Sequence, residues 1–343
     1  MQSIVARTNA AGLVGPELGT DIRWIKAVQA FPMAILLGIT FSSMAPRLFR
    51  PLINLIVFIP AWCIYWYMRL LLRSMTRQEF RDYERASDVE AKTKLLEATP
   101  DKKFPITAWI MSRYKSHERS PEQIAHDFIV ASFESTPSTA GTIYFVMAEL
   151  VTRPELVEEL REEILSVSVD GRLPQTQLNE LEKLDSVLRE CSRTNPFGHM
   201  ALFRMLRQPV KLSLGPELPS GSVICVDVHQ IPISESLWDR PEAFDPMRFY
   251  NLRRKPGNES RYHFTSLSSD TPGWGDGPQA CPGRTFAAST LKITLAHLIM
   301  NYDFQLPFGG RKPKRDSMPN GSMKPDMMAQ IMFREREQTN RST

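Results

Sequence analysis

Cys281 stands at the centre of the most chemically suggestive stretch of the chain. It follows a glycine-rich loop, Trp274-Gly-Asp-Gly-Pro-Gln-Ala, and precedes Pro282-Gly283-Arg284 and an apolar run. Gly273, Gly275 and Gly277 let the backbone pass close to a flat ligand in conformations other residues resist. Pro282 suits the first turn of a helix, where its missing N–H costs little. The free N–H groups and positive end of such a helix favour a thiolate. That sulfur can bind iron and push electron density toward O–O cleavage. A phosphate loop would need a Gly-Lys-Ser/Thr ending, which the segment lacks. A zinc site needs several nearby ligands, yet Cys63, Cys191 and Cys225 are scattered. A plain buried cysteine is the remaining alternative.

A second constellation lies upstream. Leu181, Leu184, Val187, Leu188 and Cys191 mark the apolar face of a helix that stops before Asn195-Pro196. Glu190 and Arg193, three residues apart, share a face of it. On the surface such an ion pair is worth little.

Together these segments resemble the cytochrome P450 family. The loop is similar to its heme-binding pattern: aromatic, Gly, x, Gly, x, basic, x, Cys, x, Gly. Only the basic slot departs, being Gln279. Leu188-Arg-Glu-Cys-Ser-Arg193 resembles the family's Glu-x-x-Arg helix, and Phe244-Asp-Pro-Met-Arg-Phe249 its Pro-x-Arg-Phe segment. The resemblance implies that Cys281 is the axial thiolate ligand of a heme iron. Trp274, Gly275, Gly277 and Gly283 would shape its loop. Glu190, Arg193 and Arg248 would form a buried charged network holding that loop; half satisfied, such a network is costly, so its members belong together. Arg204 would pair with a heme propionate, while Gln279 leaves one propionate contact neutral. Phe197, Met200, Leu202 and Phe203 fall where substrate meets heme, with Met327 and Met328 entering from the last hairpin. An apolar lining implies a lipophilic substrate. Cys63, Cys191 and Cys225 are expected to be structural.

Ser120-Pro121-Glu122-Gln123 reads as a capping box opening a long helix toward Leu150. Pro137 should kink it. By resemblance this helix crosses the oxygen-binding face of the heme, where the family shows Ala-Gly-x-Asp/Glu-Thr-Thr. Set against Glu134-Ser-Thr-Pro137-Ser138-Thr139, proline replaces the acid and Ser138 takes the alcohol position. Ser138 or Thr139 would hold the water that relays protons, with Glu134 as a substitute. Alternatively, the hydroxyls only cap the kink. The family also contains oxygen-independent rearranging enzymes altered in this helix, and that option stays open.

The elements that position these groups are mostly helical. Further helices are predicted from Pro154 to about Val167 and from Cys281 to about Met300. Short strands are expected over 201–233, with closing strands at Tyr302–Leu306 and Ala329–Phe333. The fold class is mainly α with small β-sheets, a P450 fold. With 343 residues, 42% hydrophobic, the chain can bury a large core. It reads as one domain, 1–343, with an apolar helical region (1–119) and a heme-binding core (120–343). Residues 79–119 are charged and read as a helix and a loose connection, with Lys102, Lys103 and Pro105 marking the break. The uncharged stretches Ala27–Ala45 and Leu52–Met68 are interrupted by Pro32 and Pro60 and flanked by Lys26, Arg47, Arg50 and Arg69. Each is near the minimum length for spanning a bilayer. The resemblance favours helices whose apolar surface dips into the membrane. Met1 starts no signal peptide.

A net charge of +4 is mild. The cluster Arg311, Lys312, Lys314 and Arg315 lacks interleaved aromatics, so it reads as a solvated loop and nucleic acid is not an expected partner. The few cysteines suggest a reducing compartment. Histidines show no metal-ligand spacing, and no Gly-x-Ser-x-Gly elbow is present. The resemblance implies a heme-thiolate monooxygenase acting on a lipophilic, terpenoid-like secondary metabolite. It would face the cytoplasm on the endoplasmic reticulum and draw electrons from NADPH through a separate flavoprotein reductase. Family members normally carry an anchor, a sheet and several helices before the part seen here. The expectation is therefore an N-terminally truncated product, and a silent heme-binding fragment is the alternative.

Overall fold

The structure, a computed structural model, describes residues 2–86, 106–317, 323–326 and 328–337. Lys102, Lys103, Pro105 and Met327 lie outside the described residues. The chain folds into two compact units, 1–140 and 141–343. The 119/120 division read from the sequence and this one fall on either side of the N-terminal part of one long helix.

The first unit is helical. Helix α1 (Gln2–Thr20) is broken at Gly15, whose φ of +91° precedes Pro16; glycine tolerates that angle where other residues are strained. Helix α2 (Ile22–Met44) is capped by Asp21, which accepts a hydrogen bond from the Arg23 N–H at 2.8 Å, and it runs through Pro32. Helix α3 (Arg50–Val57) meets α4 (Ile59–Arg85) at Phe58 with a 44° bend. Pro60 falls in the first turn of α4, where proline is tolerated, so it marks a helix start. The Phe58 ring lies against Gly38, where a Cβ would be 2.6 Å away. Helix α5 (Ile106–Arg113) packs on α4. Trp24, Ile25, Met68, Leu72, Met111 and Phe128 are fully buried here.

Helix α6 (Pro121–Leu150) contributes to both units. Ser120 caps it by accepting from the Gln123 N–H at 3.1 Å. The Gln123 side chain donates forward to Asp127, so the capping box is formed on one side. Helices α7 (Pro154–Val167) and α8 (Glu182–Thr194) follow with the boundaries their spacing predicts. Leu156, Val157, Leu160 and Ile164 of α7 are buried, as are Leu184, Val187, Leu188 and Cys191 of α8.

The strands form two-stranded antiparallel pairs. β1 (Met200–Met205) pairs with β4 (Val223–Asp227), and β2 (Val210–Lys211) with β3 (Glu217–Leu218). After helices α9 (Arg248–Arg253) and α10 (Arg284–Asn301), β5 (Tyr302–Gln305) pairs with β8 (Met332–Glu335), and β6 (Arg315–Ser317) with β7 (Met323–Pro325). The last strand therefore starts later than the expected Ala329. Its register places Arg334 opposite Asp303, where the two pair at 3.1 Å.

Candidate functional site

The cysteine loop closes on itself. The Cys281 N–H donates to the Trp274 carbonyl at 2.7 Å. Between them Gly275 (φ +78°) and Gly277 (φ +58°) hold angles that a side chain would strain. A Cβ on Gly275 would also press on the Gln279 carbonyl at 3.2 Å. Trp274 donates its indole N–H to Phe264 O at 2.6 Å and meets the Phe264 ring edge-on. Helix α10 begins at Arg284 with Gly283 as its cap, so Pro282 lies in the preceding turn and not in the first helical turn. Arg284 Nη1 reaches back to the Cys281 carbonyl at 3.0 Å, closing that turn. Cys281 is half-buried. A Cβ on Gly283 would stand 4.0 Å from Sγ, in ordinary van der Waals contact.

Glu190, Arg193 and Arg248 come together. Arg193 forks onto Glu190, Nε to Oε2 at 2.8 Å and Nη2 to Oε1 at 2.7 Å, with both side chains fully buried. Arg248 Nε lies 3.2 Å from both carboxylate oxygens. The remaining guanidinium donors go to backbone carbonyls: Arg193 to Pro232, Pro241 and Ala243, and Arg248 to Asp239, Arg240 and Ala243. The Asp245 N–H adds another bond to Glu190. This network ties α8 to residues 232–248; its hydrogen bonds do not reach the cysteine loop.

A second network, which sequence reasoning missed, does reach it. Asp185 of α8 accepts from Arg253 Nη1 at 2.6 Å, from the Phe264 N–H at 2.9 Å and from Lys292 Nζ at 2.8 Å. Burial alone would raise the Asp185 carboxyl, but Lys292, Arg253 and the Phe264 N–H outweigh it and hold the pKa below the ordinary value. Arg189, one helical turn on, donates to the carbonyls of His263 and Ser266 and to Thr271 Oγ1. Burial lowers its pKa to about 10. Phe249 lies beneath this guanidinium, 4.9 Å from ring centre to Cζ. The signal in the sequence was spacing alone: Asp185 lies three positions before Leu188, at the edge of the helix's apolar face.

Other predicted positions are placed as follows. Arg204, half-buried on β1, donates to the Phe203 carbonyl. A bulge between Ala201 and Arg204 puts Leu202 at φ +57° and turns it toward Gly275. Phe197, Met200, Phe203 and Met328 expose large apolar side chains. The Phe197 ring sits against Gly141, where a Cβ would be only 2.7 Å away. In the basic cluster, Lys312 pairs with Glu149 at 2.7 Å. Cys191 is buried, and burial pushes its thiol pKa up. Cys63 and Cys225 are exposed, contrary to the structural role expected, because their helix and strand faces turn outward.

Within the first unit, α6 runs through Pro137. Ser138 is exposed and donates to Glu134 O at 3.0 Å, while Thr139 is buried and Glu134 exposed. On this helix the hydroxyls of Ser132, Ser135 and Thr136 are buried without a partner. The motif Ala-Gly-x-Asp/Glu-Thr-Thr can also be set against Ala131-Ser132-Phe133-Glu134-Ser135-Thr136, three residues earlier than the register set from Pro137, with Ser132 at the glycine and Ser135 at the first threonine. There Glu134 is itself the acid.

Among the described residues no three His, Cys, Asp or Glu side chains converge as a metal cluster. The cysteine loop offers one accessible sulfur. That donor set suits a metal that brings its other ligands, as heme iron does, and suits no tetrahedral zinc site.

The cytochrome P450 profile matches residues 32–333. The chain belongs to the cytochrome P450 family. It is 47% identical to cytochrome P450 monooxygenase ffsD of Aspergillus flavipes, over 98% of this chain and 63% of that protein. It is 44% identical to cytochrome P450 monooxygenase cheG of Chaetomium globosum, over 98% of both. Pyrichalasin C-18 hydroxylase of Pyricularia grisea is 42% identical over 97% of this chain and 62% of its own length. The chain thus spans about three-fifths of two of these relatives and nearly all of the third. A retinoic acid-bound cyanobacterial P450, CYP120A1, matches with a TM-score of 0.66 at 18% identity, over 98% of this chain and 68% of that one. That likeness shows the fold.

Proposed function

We propose that this P450 is a heme-thiolate monooxygenase that hydroxylates a lipophilic secondary metabolite, terpenoid-like as the family resemblance implies. The observation that carries the proposal is the half-buried sulfur of Cys281, held by a closed glycine loop with no competing metal cluster among the described residues. Heme bound there supplies dioxygen activation, with the thiolate favouring O–O cleavage. The chain's own residues do the rest. Gly275 and Gly277 keep the loop thin enough for a flat ligand. Arg204 spends one guanidinium N–H on the Phe203 carbonyl, and the others suit a propionate. The exposed side chains of Phe197, Met200 and Phe203 provide apolar lining for the substrate.

Ser135 and Thr136, with Glu134, are assigned the proton-relay role first read at Ser138 and Thr139. Their unpartnered hydroxyls can hold a water, whereas the Ser138 hydroxyl is engaged by its own helix. In this register the acid is present. That register lacks the departure on which the oxygen-independent alternative rested, which supports the monooxygenase reading. The hydroxylase name of the 42% identical relative supports oxygen insertion.

Electrons are assigned to NADPH through a separate flavoprotein reductase. The exposed apolar faces of α2, α3 and α4 support docking on a membrane, with the endoplasmic reticulum as the proposed site. By length and composition Ile22–Met44 is also apolar enough to cross one.

The test uses the full chain with a P450 reductase, NADPH, O₂ and a panel of lipophilic metabolites that includes terpenoids. Expected are bound heme, a thiolate-type band of the reduced carbon-monoxide form, and a product carrying one added oxygen. A folded chain that binds no heme overturns the proposal; heme binding without turnover leaves the silent-fragment reading.

A further inference from the structure

Helix α4 carries arginine at every fourth position from Arg69 to its end: Arg69, Arg73, Arg77, Arg81 and Arg85. Four residues turn an α-helix by about 400°, so successive arginines advance only about 40° around the axis and about 6 Å along it. The five form one slowly winding row about 24 Å long. Arg73, Arg77, Arg81 and Arg85 are exposed, while Met68, Leu72, Thr76 and Tyr83 form a separate, buried line along the helix. None of the ion pairs among the described residues involves these four arginines. Such a stripe is costly for a helix through like-charge repulsion at four-residue spacing.

The row does not stand alone. Next to it runs a second four-residue row, Trp62, Trp66 and Leu70, all exposed. Ile59 and Tyr67 are exposed on the same helix, and α3 exposes Leu52, Leu55 and Ile56 just before it. The guanidinium of Arg69 lies 4.8 Å over the Trp66 ring and 5.8 Å from the Tyr65 ring, at the point where the aromatic row gives way to the arginine row. Along the exposed part of this helix apolar and aromatic residues, Ile59 to Leu70, give way to arginine from Arg69 onward. That is the order of environments met on leaving a bilayer: acyl chains, interface, headgroups. The acidic residues of this stretch weaken the basic row little at its centre. Glu79 is half-buried, and Asp82 and Glu84 stand near its far end.

We propose that the Arg73–Arg77–Arg81 row of α4 is a headgroup site for anionic phospholipids, which selects the kind of membrane on which the apolar face beside it docks. The inference rests on the membrane docking proposed above and adds its lipid chemistry. Each arginine brought to an anionic surface strengthens binding by about fivefold, the equivalent of about 1 kcal/mol. Three acting together give a preference on the order of a hundredfold. The effect decays over about 8 Å at physiological salt, so the arginines must sit at the surface, as their continuity with Trp62 and Trp66 provides. An acidic protein partner would meet the same charges, but it would not account for the tryptophans and aliphatic residues continuing the row.

The test is flotation of the full chain with vesicles of phosphatidylcholine alone or with added phosphatidylserine. The parent protein and the triple variant Arg73→Gln, Arg77→Gln, Arg81→Gln are compared, with far-UV circular dichroism as the control for fold. The parent is expected to bind both vesicles and to prefer the anionic ones strongly at low salt. The variant should keep its affinity for phosphatidylcholine and lose most of the preference. Equal binding of the parent to both lipids overturns the headgroup site while leaving the docking reading intact. Binding to neither vesicle overturns both. An unchanged lipid preference in the triple variant, with weaker binding to a reductase, overturns the lipid assignment in favour of a protein partner.

Discussion

Asp185 and Lys292 meet at 2.8 Å between Oδ1 and Nζ, both side chains almost wholly buried. Lys292 lies on the helix that follows Cys281. Through its other oxygen Asp185 accepts from the Phe264 N–H, which lies before Cys281. One carboxylate therefore grips the chain on both sides of the cysteine. Phe264 in turn receives the Trp274 indole, and Trp274 receives the Cys281 N–H. The path from Asp185 to the cysteine runs through the Phe264 backbone, the Trp274 indole and the Cys281 N–H, and it bypasses Glu190.

Asp185→Asn should therefore loosen the cysteine loop. Removing one partner of a buried charged cluster typically costs about 3–5 kcal/mol. Hydrogen exchange of the peptide spanning 263–281 is expected to rise in this variant, and the thiolate-type band of the reduced carbon-monoxide form to fall. Unchanged exchange there would show that the loop is held by other contacts. The cost should also depend on pH. The folded carboxyl titrates below its ordinary value of 3.8, so the folded state holds fewer protons than the unfolded chain. The stabilisation is fully present above that value and disappears as pH falls through the depressed folded pKa. Melts of parent and variant should differ at neutral pH and converge in strong acid.

Glu190→Gln should act elsewhere. The Glu190–Arg193–Arg248 fork holds residues 232–248, and its guanidinium donors are all directed at that segment or at Glu190. Loss of folded protein is expected, with raised exchange in 232–248 exceeding that in 263–281. Comparable loosening of both segments would show that the two networks act as one.

The sequence made part of this legible. The glycines around Cys281, the Glu190–Arg193 spacing and the buried face Leu184, Val187, Leu188 and Cys191 are all local patterns, and local periodicity is what a helix imposes. Asp185 was invisible for the opposite reason. Its partner Arg253 is 68 residues away in sequence, and Phe264 is 79 away. No spacing rule joins them. Likewise, the apolar stretches around residues 27–45 and 52–68 are plain in the sequence, but whether Leu36, Leu55 or Trp62 meets a neighbour or solvent depends on how α2, α3 and α4 pack. Pro137 draws attention to the hydroxyls after it, Ser138 and Thr139, whereas the unpartnered hydroxyls of this helix precede it.

Cys281→Ala should abolish thiolate ligation and Cys281→Ser weaken it greatly, with little change in fold. The loop is closed by the Cys281 backbone N–H and carbonyl, which both variants keep. The reduced carbon-monoxide spectrum is the measurement, with circular dichroism as control. A normal thiolate-type band in Cys281→Ala would mean that another residue ligates the iron.

The last prediction separates two pairs of hydroxyls on one helix. Ser135 and Thr136 are buried or half-buried with no hydrogen-bond partner, whereas Ser138 is exposed and bonded to the Glu134 carbonyl. A relay needs a hydroxyl that can exchange partners, and one tied to its own helix is poorly suited. Ser135→Ala with Thr136→Ala should retain heme but divert reductase electrons from product to hydrogen peroxide. General acid–base groups contribute about 10²–10⁴-fold, so product formation should fall at least about tenfold. Ser138→Ala with Thr139→Ala should change coupling far less. Peroxide and product measured per NADPH in both double variants decide the matter. If the Ser138 pair uncouples and the Ser135 pair does not, the register set from Pro137 is the functional one.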